Sequence, residues 1–216
     1  MAVFRAIILA GALAGLICGL AMTGLQRIGT VPLILQAETY EHDHGDEDHV
    51  WQPAEGFERT AYTALFNIVE WIGFGFLLTG AMVVSKRETG WREGFLWGLA
   101  GFICVLLAPS LGLPPELPGV PAPALEPRQL WWLLTAGATA SGLALIVFKP
   151  SPPAAILAVV VICIPHLIGA PHLDHVETEV PETLSHQFTV AVTLTTFACW
   201  SLLGGLTGYF HRRFQA

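Results

Sequence analysis

The chain has 216 residues, of which 53% are hydrophobic and only 12% are charged, whereas soluble domains have about 25% charged residues. Together with a mean hydropathy of +0.59, this composition excludes a soluble domain and a disordered chain, and four cysteines are too few for a disulfide-stapled module. The net charge of −7 argues against a nucleic-acid partner, which requires a basic surface. We therefore expect an integral membrane protein.

Apolar runs of the length that crosses a bilayer, about 20 residues, occur six times along the chain. They predict an all-α membrane protein with one polytopic domain over residues 1–216 and helices at about 4–26, 61–84, 91–111, 130–148, 154–170 and 188–210. The fifth run is short and contains Pro165, so the sequence leaves open whether it spans fully. The first run is longer than the apolar part of a cleaved signal peptide, about 7–15 residues, and we expect it to stay as a helix.

The basic residues are distributed unevenly between the two sides of the predicted bundle. Only three lie in segments on one side, namely Arg27, Arg59 and Arg128. The other seven lie on the opposite side, namely Arg5, Lys86, Arg87, Arg92, Lys149, Arg212 and Arg213. Because cytoplasmic loops carry the excess of Lys and Arg, both termini are predicted to be cytoplasmic. Most carboxylates and histidines then face outward, where they attract cations.

Glycines four residues apart recur in three of the predicted helices. Residues at this spacing share one helical face, and small residues allow a neighbouring backbone to approach closely. The pattern predicts close helix packing at Gly11, Gly15, Gly19, Gly94, Gly98, Gly204 and Gly208.

The chain carries neither a Walker-type phosphate-binding motif nor a dinucleotide fingerprint. ATP hydrolysis by this chain is therefore not expected, and we do not expect an enzyme. Energy for any transport would come from an ion gradient, the membrane potential or another subunit.

The first outer loop, residues 31–60, contains three imidazoles and five carboxylates within nine consecutive residues. Mixed nitrogen and oxygen ligands suit Co²⁺, Ni²⁺ or Zn²⁺ better than Ca²⁺ or Mg²⁺. A solvated polar loop without a metal is the alternative interpretation. The predicted metal ligands in this loop are His42, Asp43, His44, Asp46 and His49.

A second candidate metal station follows the fifth apolar run. Two prolines and a glycine within residues 165–171 are expected to break the helix, and broken helices at membrane depth line a cavity or are covered by protein. The candidate ligands are His166, His172 and His175. A helix end with interfacial histidines is the alternative.

Glu70 is the carboxylate that lies well inside a predicted span, and Asn67, one turn before it, is expected on the same helical face. An intramembrane acid is costly and is expected to face the bundle interior. We predict that Asn67 and Glu70 lie on a transport path, where Glu70 binds the cation or relays a proton. A structural hydrogen bond to another helix is the alternative role.

The outer turn after the third apolar run, residues 112–119, is rich in proline and places Glu116 near the outer surface. Glu116 either pairs with Arg128 and fixes the outer hairpin or adds a ligand at the entrance. Four cysteines lie on four different predicted helices, and none forms a CxxC motif. We expect them to pack inertly, with a shared soft-metal site as the alternative, at Cys18, Cys104, Cys163 and Cys199.

Taken together, these motifs resemble the CbtA family of predicted cobalt transporter subunits. The resemblance rests on the glycine-rich first helix that runs into residues 30–41, the His/Asp/Glu loop, GLPPELPG at 112–119 with RQLWW at 128–132, and PHLIGAP at 165–171. It implies cobalt uptake for cobalamin synthesis at the bacterial inner membrane. It also implies a partner of the CbtB type, a small single-span protein with a histidine-rich segment.

The first hypothesis is therefore a membrane transporter subunit whose substrate is Co²⁺, with nickel or zinc possible, and without a permanently bound cofactor. Its expected partners are the metal ion, membrane lipid and the small subunit, and a homo-oligomer is possible. A membrane redox or haem protein is one alternative, which would need histidines inside facing spans. A non-transporting metal sensor or accessory subunit is the other.

Overall fold

The computed structural model describes residues 2–40, 53–54, 56–87, 90–173 and 177–215. Of these residues 81% are helical, and none of them lies in a strand. Within the described ranges the helices are α1 (Ala2–Ile28), α2 (Val31–Glu38), α3 (Phe57–Ser85), α4 (Trp91–Ser110), α5 (Leu125–Phe148), α6 (Pro152–Ile168) and α7 (Glu182–Gln215).

Five of the described helices, α1, α3, α4, α5 and α7, are long and apolar enough to cross a bilayer. The apolar helix α6 has 17 residues, which gives a length of about 25 Å against a hydrocarbon thickness of about 30 Å. The predicted all-α membrane protein is therefore confirmed. The expected six spans are close to the observed number, because each apolar run forms a helix and only α6 is short.

The observed helix ends lie up to six residues from the predicted ones. Helix α7 begins at Glu182 instead of 188, because polar residues continue the helix beyond the apolar run. Helix α5 begins at Leu125 instead of 130, and Pro127 is tolerated in its first turn, where its missing N–H loses no helical bond. The predicted loop 31–60 also contains the unexpected short helix α2.

The break expected within residues 165–171 occurs at Gly169 and not at Pro165. Helix α6 continues through Pro165 to Ile168 and ends at Gly169, whose φ is +90°. The Gly169 N–H donates to the Pro165 carbonyl oxygen at 3.1 Å. Glycine adopts this positive φ without steric cost, so it is the glycine, and not the proline, that ends the helix.

Two pairs of helices cross at the glycines that the sequence singles out. Helix α1 packs on α3, where a Cβ added to Gly15 would lie 2.4 Å from Ile72 Cα. Helix α4 packs on α7, where a Cβ on Gly204 would lie 2.2 Å from the Gly94 carbonyl oxygen. The predicted role of these glycines in helix packing is therefore confirmed.

Helices α1, α3, α4 and α7 form the central bundle, and the α5–α6 hairpin packs beside α4. The bundle core contains Trp71 of α3 and Trp200 of α7, whose ring centroids are 5.8 Å apart. A second apolar cluster lies at the end where α2 and the 112–119 turn meet the start of α7. Its buried members are Ala37, Leu117, Val180, Leu184 and Phe188.

Candidate functional site

The predicted ligands of the first outer loop fall outside the described residues, but the segments that flank this loop are described. Glu38 at the end of α2 forms an ion pair with Arg59 in the first turn of α3, with a second contact of 3.3 Å between Arg59 Nη1 and Glu38 Oε2. The ion pair holds the two ends of the loop together. The ligands outside the described residues are His42, Asp43, His44, Asp46 and His49.

A cavity of about 80 Å³ lies directly beside this ion pair, between the ends of α1, α2 and α3. Hydroxyl and amide oxygens line it and can replace waters of a cation's hydration shell. Two guanidinium groups also line it and oppose a cation, although that of Arg59 is paired with Glu38. The polar lining residues are Thr23, Gln26, Arg27, Arg59, Thr60 and Thr63.

Asn67 joins α3 to two of the side chains that line the cavity. Its Nδ2 donates to Thr23 Oγ1 at 3.0 Å and to Gln26 Oε1 at 2.7 Å. Asn67 is 2% exposed and Thr23 is 8% exposed, so these bonds lie within the α1–α3 contact. The hydrogen bonds of Asn67 to Thr23 and Gln26 therefore form a buried polar junction between α1 and α3. This junction lies next to the cavity, and the ends of the outer loop lie at the same cavity.

The expectation that Glu70 faces the bundle interior was wrong. Its side chain is exposed, whereas Asn67, three residues earlier, is buried. Three residues turn a helix by about 300°, and the edge of the buried face of α3 falls between the two side chains. Within the described part of the chain Glu70 has no hydrogen bond or ion pair. A charge at the bilayer centre costs about 2.5–3.5 kcal/mol, so Glu70 needs a partner that the described part of the chain does not supply.

Glu116 pairs with Arg128, with Arg128 Nη2 3.0 Å from Glu116 Oε2. Both side chains are partly buried, with exposures of 24% for Glu116 and 31% for Arg128. Of the two roles that the sequence allows for Glu116, the structure contains the ion pair that ties the 112–119 turn to the start of α5. A role in metal binding stays a prediction.

The adjacent tryptophans of α5 attach the hairpin to its neighbours by indole hydrogen bonds. Trp132 Nε1 donates to the Val105 carbonyl oxygen of α4 at 3.1 Å. Val105 lies four residues before Pro109, which has no N–H to donate to it, and a π-helical turn spans Ile103–Leu107. Trp131 Nε1 donates to the Pro165 carbonyl oxygen of α6 at 3.0 Å. The RQLWW and PHLIGAP motifs therefore meet in the structure.

His166 lies beside this contact. Its ring is half-buried and meets Trp131 edge-on, with ring centroids 5.8 Å apart. His172 is exposed, with Nδ1 3.2 Å from the Ala170 carbonyl oxygen, and His175 lies outside the described residues. Among the described residues no three His, Cys, Asp or Glu side chains are grouped to hold a metal ion.

The cysteines do not converge on one site. Cys18 of α1 and Cys199 of α7 are buried and adjacent, with Cys18 Sγ 3.8 Å from the Cys199 carbonyl oxygen. Cys163 is exposed on α6, which packs against α5. The expected packing role fits the buried pair, and a single site made of all four cysteines does not fit the structure.

A family model described as "Probable cobalt transporter subunit (CbtA)" matches residues 4–212. The chain belongs to the CbtA family. No curated protein and no solved structure matches it. Membership confirms the resemblance and makes this chain a probable cobalt transporter subunit and a multi-pass membrane protein. The CbtA description names a subunit, which implies a partner subunit and a transported ion and favours transport over enzymatic activity.

Four residues at this site, Thr23, Gln26, Glu38 and Arg59, are not among those predicted from the sequence. Thr23 and Gln26 lie three residues apart in an otherwise apolar run. Side chains at this spacing are neighbours on a helix surface. Polar neighbours within an apolar helix indicate a polar partner on another helix, which is the signal that could have identified Asn67 as that partner.

Proposed function

We propose that this CbtA-family chain takes up Co²⁺ across the bacterial inner membrane, as one subunit of a transporter that supplies cobalamin synthesis. The family supports the cobalt and the subunit role. The route of the ion is supported by three features that follow one another along α1 and α3. They are the Glu38–Arg59 ion pair at the ends of the loop, the polar cavity, and the buried hydrogen bonds of Asn67. A small single-span partner of the CbtB type completes the transporter, and nickel or zinc would compete at such sites.

Capture takes place at the histidine-rich segment between α2 and α3. Imidazole and carboxylate groups together provide ligands for borderline divalent ions. The Glu38–Arg59 pair keeps both ends of this segment at the cavity mouth, so a captured ion is released close to the cavity.

The ion then exchanges waters for the oxygens of Thr23 and Gln26 and passes the junction at Asn67. The positive-inside rule supports an outward-facing cavity and cytoplasmic termini. The cavity arginines raise the energy of a cation that stays there, so we expect this step to transfer the ion rather than to store it.

The second station, at the end of α6, comprises His166, His172 and His175, with Glu116 at the entrance. The half-buried ring of His166 is oriented by its edge-on contact with Trp131, and an oriented imidazole is a good ligand for Co²⁺. Glu70 contributes to the path only where another subunit covers it, since it is exposed in the single chain.

The experiment is accumulation of radioactive cobalt, with nickel as competitor, in a host without its own cobalt importers. The chain is expressed with and without its presumed small partner. We expect saturable uptake that falls at least about tenfold in Asn67→Leu, a loss of about 1.4 kcal/mol in transition-state stabilisation. A smaller decrease is expected when His42, His44 and His49 are all replaced by glutamine.

His166→Ala has a matched control in His186→Ala, because His186 is also on the side of the predicted outer loops but is exposed and outside the proposed route. We expect the first change to lower uptake and the second to leave it unaltered. Absence of uptake in every combination, with each variant inserted at normal level, would overturn the transport proposal in favour of a sensor or accessory subunit.

A further inference from the structure

One face of α3 is open along most of its length. Its residues are spaced alternately by four and three, which is the heptad pattern of a helix that packs against another helix in a left-handed pair. We call this face the α3 seam; it consists of Phe66, Glu70, Gly73, Leu77, Gly80 and Val84.

The side chains of the α3 seam are exposed in the single chain. Phe66 is 68% exposed, Leu77 is 70% and Val84 is 80%. Exposed apolar residues alone would be covered by lipid, so they do not by themselves indicate a protein partner.

The two glycines of the α3 seam differ from those that the chain uses for its own packing. A Cβ added to Gly73 or to Gly80 would meet no atom within 4 Å. Glycine lowers helix stability, and in membranes small residues provide the surface on which a neighbouring helix can approach closely. On the α3 seam the described part of the chain supplies no such neighbour.

Glu70 supplies the observation that points to the chemistry of the missing neighbour. It lies 13 residues after Phe57 and 15 before Ser85, that is, near the middle of α3. Its carboxyl group has no hydrogen bond or ion pair within the described part of the chain, and no water is present at that depth in a bilayer to solvate it. A carboxylate is satisfied by a donor such as an amide, hydroxyl, imidazole or cationic group.

We propose that the α3 seam is the docking surface for a membrane-spanning helix of the partner subunit, which places a hydrogen-bond-donating side chain opposite Glu70. The two glycines admit the partner backbone, and the apolar residues surround the polar contact and exclude lipid from it. A second copy of this chain fits less well, because it would bring the same carboxyl group to the interface: two carboxylates repel each other, and one must be protonated before it can donate. The inference rests on the membership in a family of transporter subunits and not on the proposed ion route.

The test uses the full chain in its native membrane, with a photo-crosslinking amino acid at Leu77. The control carries the same group at Leu133 on α5, which is 60% exposed. We expect one protein adduct at position 77, and sequencing of its cross-linked peptide identifies a membrane-spanning segment with a donor side chain. Its yield falls about 3- to 18-fold in Glu70→Leu, the range of interhelical hydrogen bonds in membranes, and is retained in Glu70→Gln.

Gly73→Ile provides a second variant that leaves Glu70 in place but blocks the approach of a helix, and we expect it to lose the adduct as well. An adduct between two copies of this chain, adducts with lipid alone, or a yield unaffected by Glu70→Leu and Gly73→Ile would each overturn the inference. Cobalt accumulation is measured in the same cells. Uptake without the adduct overturns the docking surface alone, and the adduct without uptake overturns the proposed transport alone.

Discussion

The glycines of α1 and the glycines of the α3 seam form two surfaces with the same residue type and different uses. On α1, a Cβ at Gly15 or Gly19 would lie 2.4–2.6 Å from the backbone of α3. On the α3 seam, a Cβ at Gly73 or Gly80 would meet nothing within 4 Å. The glycine surface of α1 is covered by α3 in the folded chain, whereas the α3 seam is not covered by any described residue. We call a covered glycine surface closed and an uncovered one open. In the inference drawn above, a helix of the partner subunit fills the contact on the α3 seam.

The spacing of the two surfaces explains how they differ. Gly11, Gly15 and Gly19 recur every four residues, as in the right-handed crossings of small-residue pairs. The α3 seam alternates four and three, which suits a left-handed pair that crosses at about 20°. We therefore expect the partner helix to run nearly parallel or antiparallel to α3 over several turns.

The largest effect is expected when a closed surface is broken by one methyl group. In Gly204→Ala the added Cβ would lie 2.2 Å from the Gly94 carbonyl oxygen and 2.6 Å from the Gly98 nitrogen. Backbone atoms cannot move aside as a flexible side chain can, so the α4–α7 crossing must separate. We expect the free energy of unfolding to fall by about 1–3 kcal/mol or more. Thermal unfolding of the purified protein in detergent measures this loss.

Gly205→Ala is the matched control for that variant. It lies one residue further along α7, and its added Cβ comes no closer than 3.9 Å to the Trp91 carbonyl oxygen. We expect no loss of stability. Equal losses in the two variants would mean that the α4–α7 contact is not the close crossing described above.

The next largest effect is expected from a comparison of two polar residues of α3, Asn67 at the contact with α1 and Glu70 on the α3 seam. Asn67→Leu removes the bonds to Thr23 and Gln26 and leaves those two groups without their α3 partner. Interhelical hydrogen bonds in membranes average about 0.6 kcal/mol and reach about 1.7 kcal/mol, and we expect a loss near the upper value, because two bonds are removed. Glu70→Leu removes no bond within the described chain, so the isolated chain is expected to lose no stability. Thermal unfolding of both variants without the partner tests this, and a larger loss in Glu70→Leu would contradict the exposed position of Glu70.

A methyl group on the open surface is expected to act in the opposite direction from one on the closed surface. Gly73→Ala adds a Cβ that meets no atom and replaces glycine in the middle of a helix, which stabilises the helix by up to about 1 kcal/mol. We expect the isolated chain to unfold at a slightly higher temperature than the unmodified chain. A lower unfolding temperature would show that Gly73 already packs against part of this chain.

The sequence was sufficient for the fold class, because apolar runs of about 20 residues have one stable solution in a bilayer. It also identified the glycine crossings, since the spacing of four fixes a helical face. It did not reveal which side of α3 is buried. Asn67 and Glu70 are three residues apart, and only contacts with α1 decide that one lies inside and the other outside.

The candidate site was predictable in its residue types and not in its connections. The histidine-rich loop is evident from composition alone, but its attachment depends on Glu38 and Arg59, which are 21 residues apart in sequence. The sequence predicts the end of α6 at about residue 170, with a break somewhere within 165–171. The helix continues to Ile168, and this position became clear only from the bonds at Gly169.

The smallest effect is expected in the α5–α6 hairpin, which contains neither glycine surface. Its two helices are joined by a hydrogen bond from the indole N–H of Trp131. Trp131→Phe removes the bond from Nε1 to the Pro165 carbonyl oxygen and also reduces the volume of a side chain that is 6% exposed. Trp71→Phe is the control that separates the lost hydrogen bond from the lost side-chain volume. Trp71 is also buried, at 2% exposed, but its Nε1 has no partner among the described residues, so its replacement changes the volume alone. We expect Trp131→Phe to cost about 0.6 kcal/mol more than Trp71→Phe, measured by thermal unfolding. An equal or smaller cost would mean that volume alone matters at Trp131 and that the hairpin is held by apolar packing rather than by the indole bond.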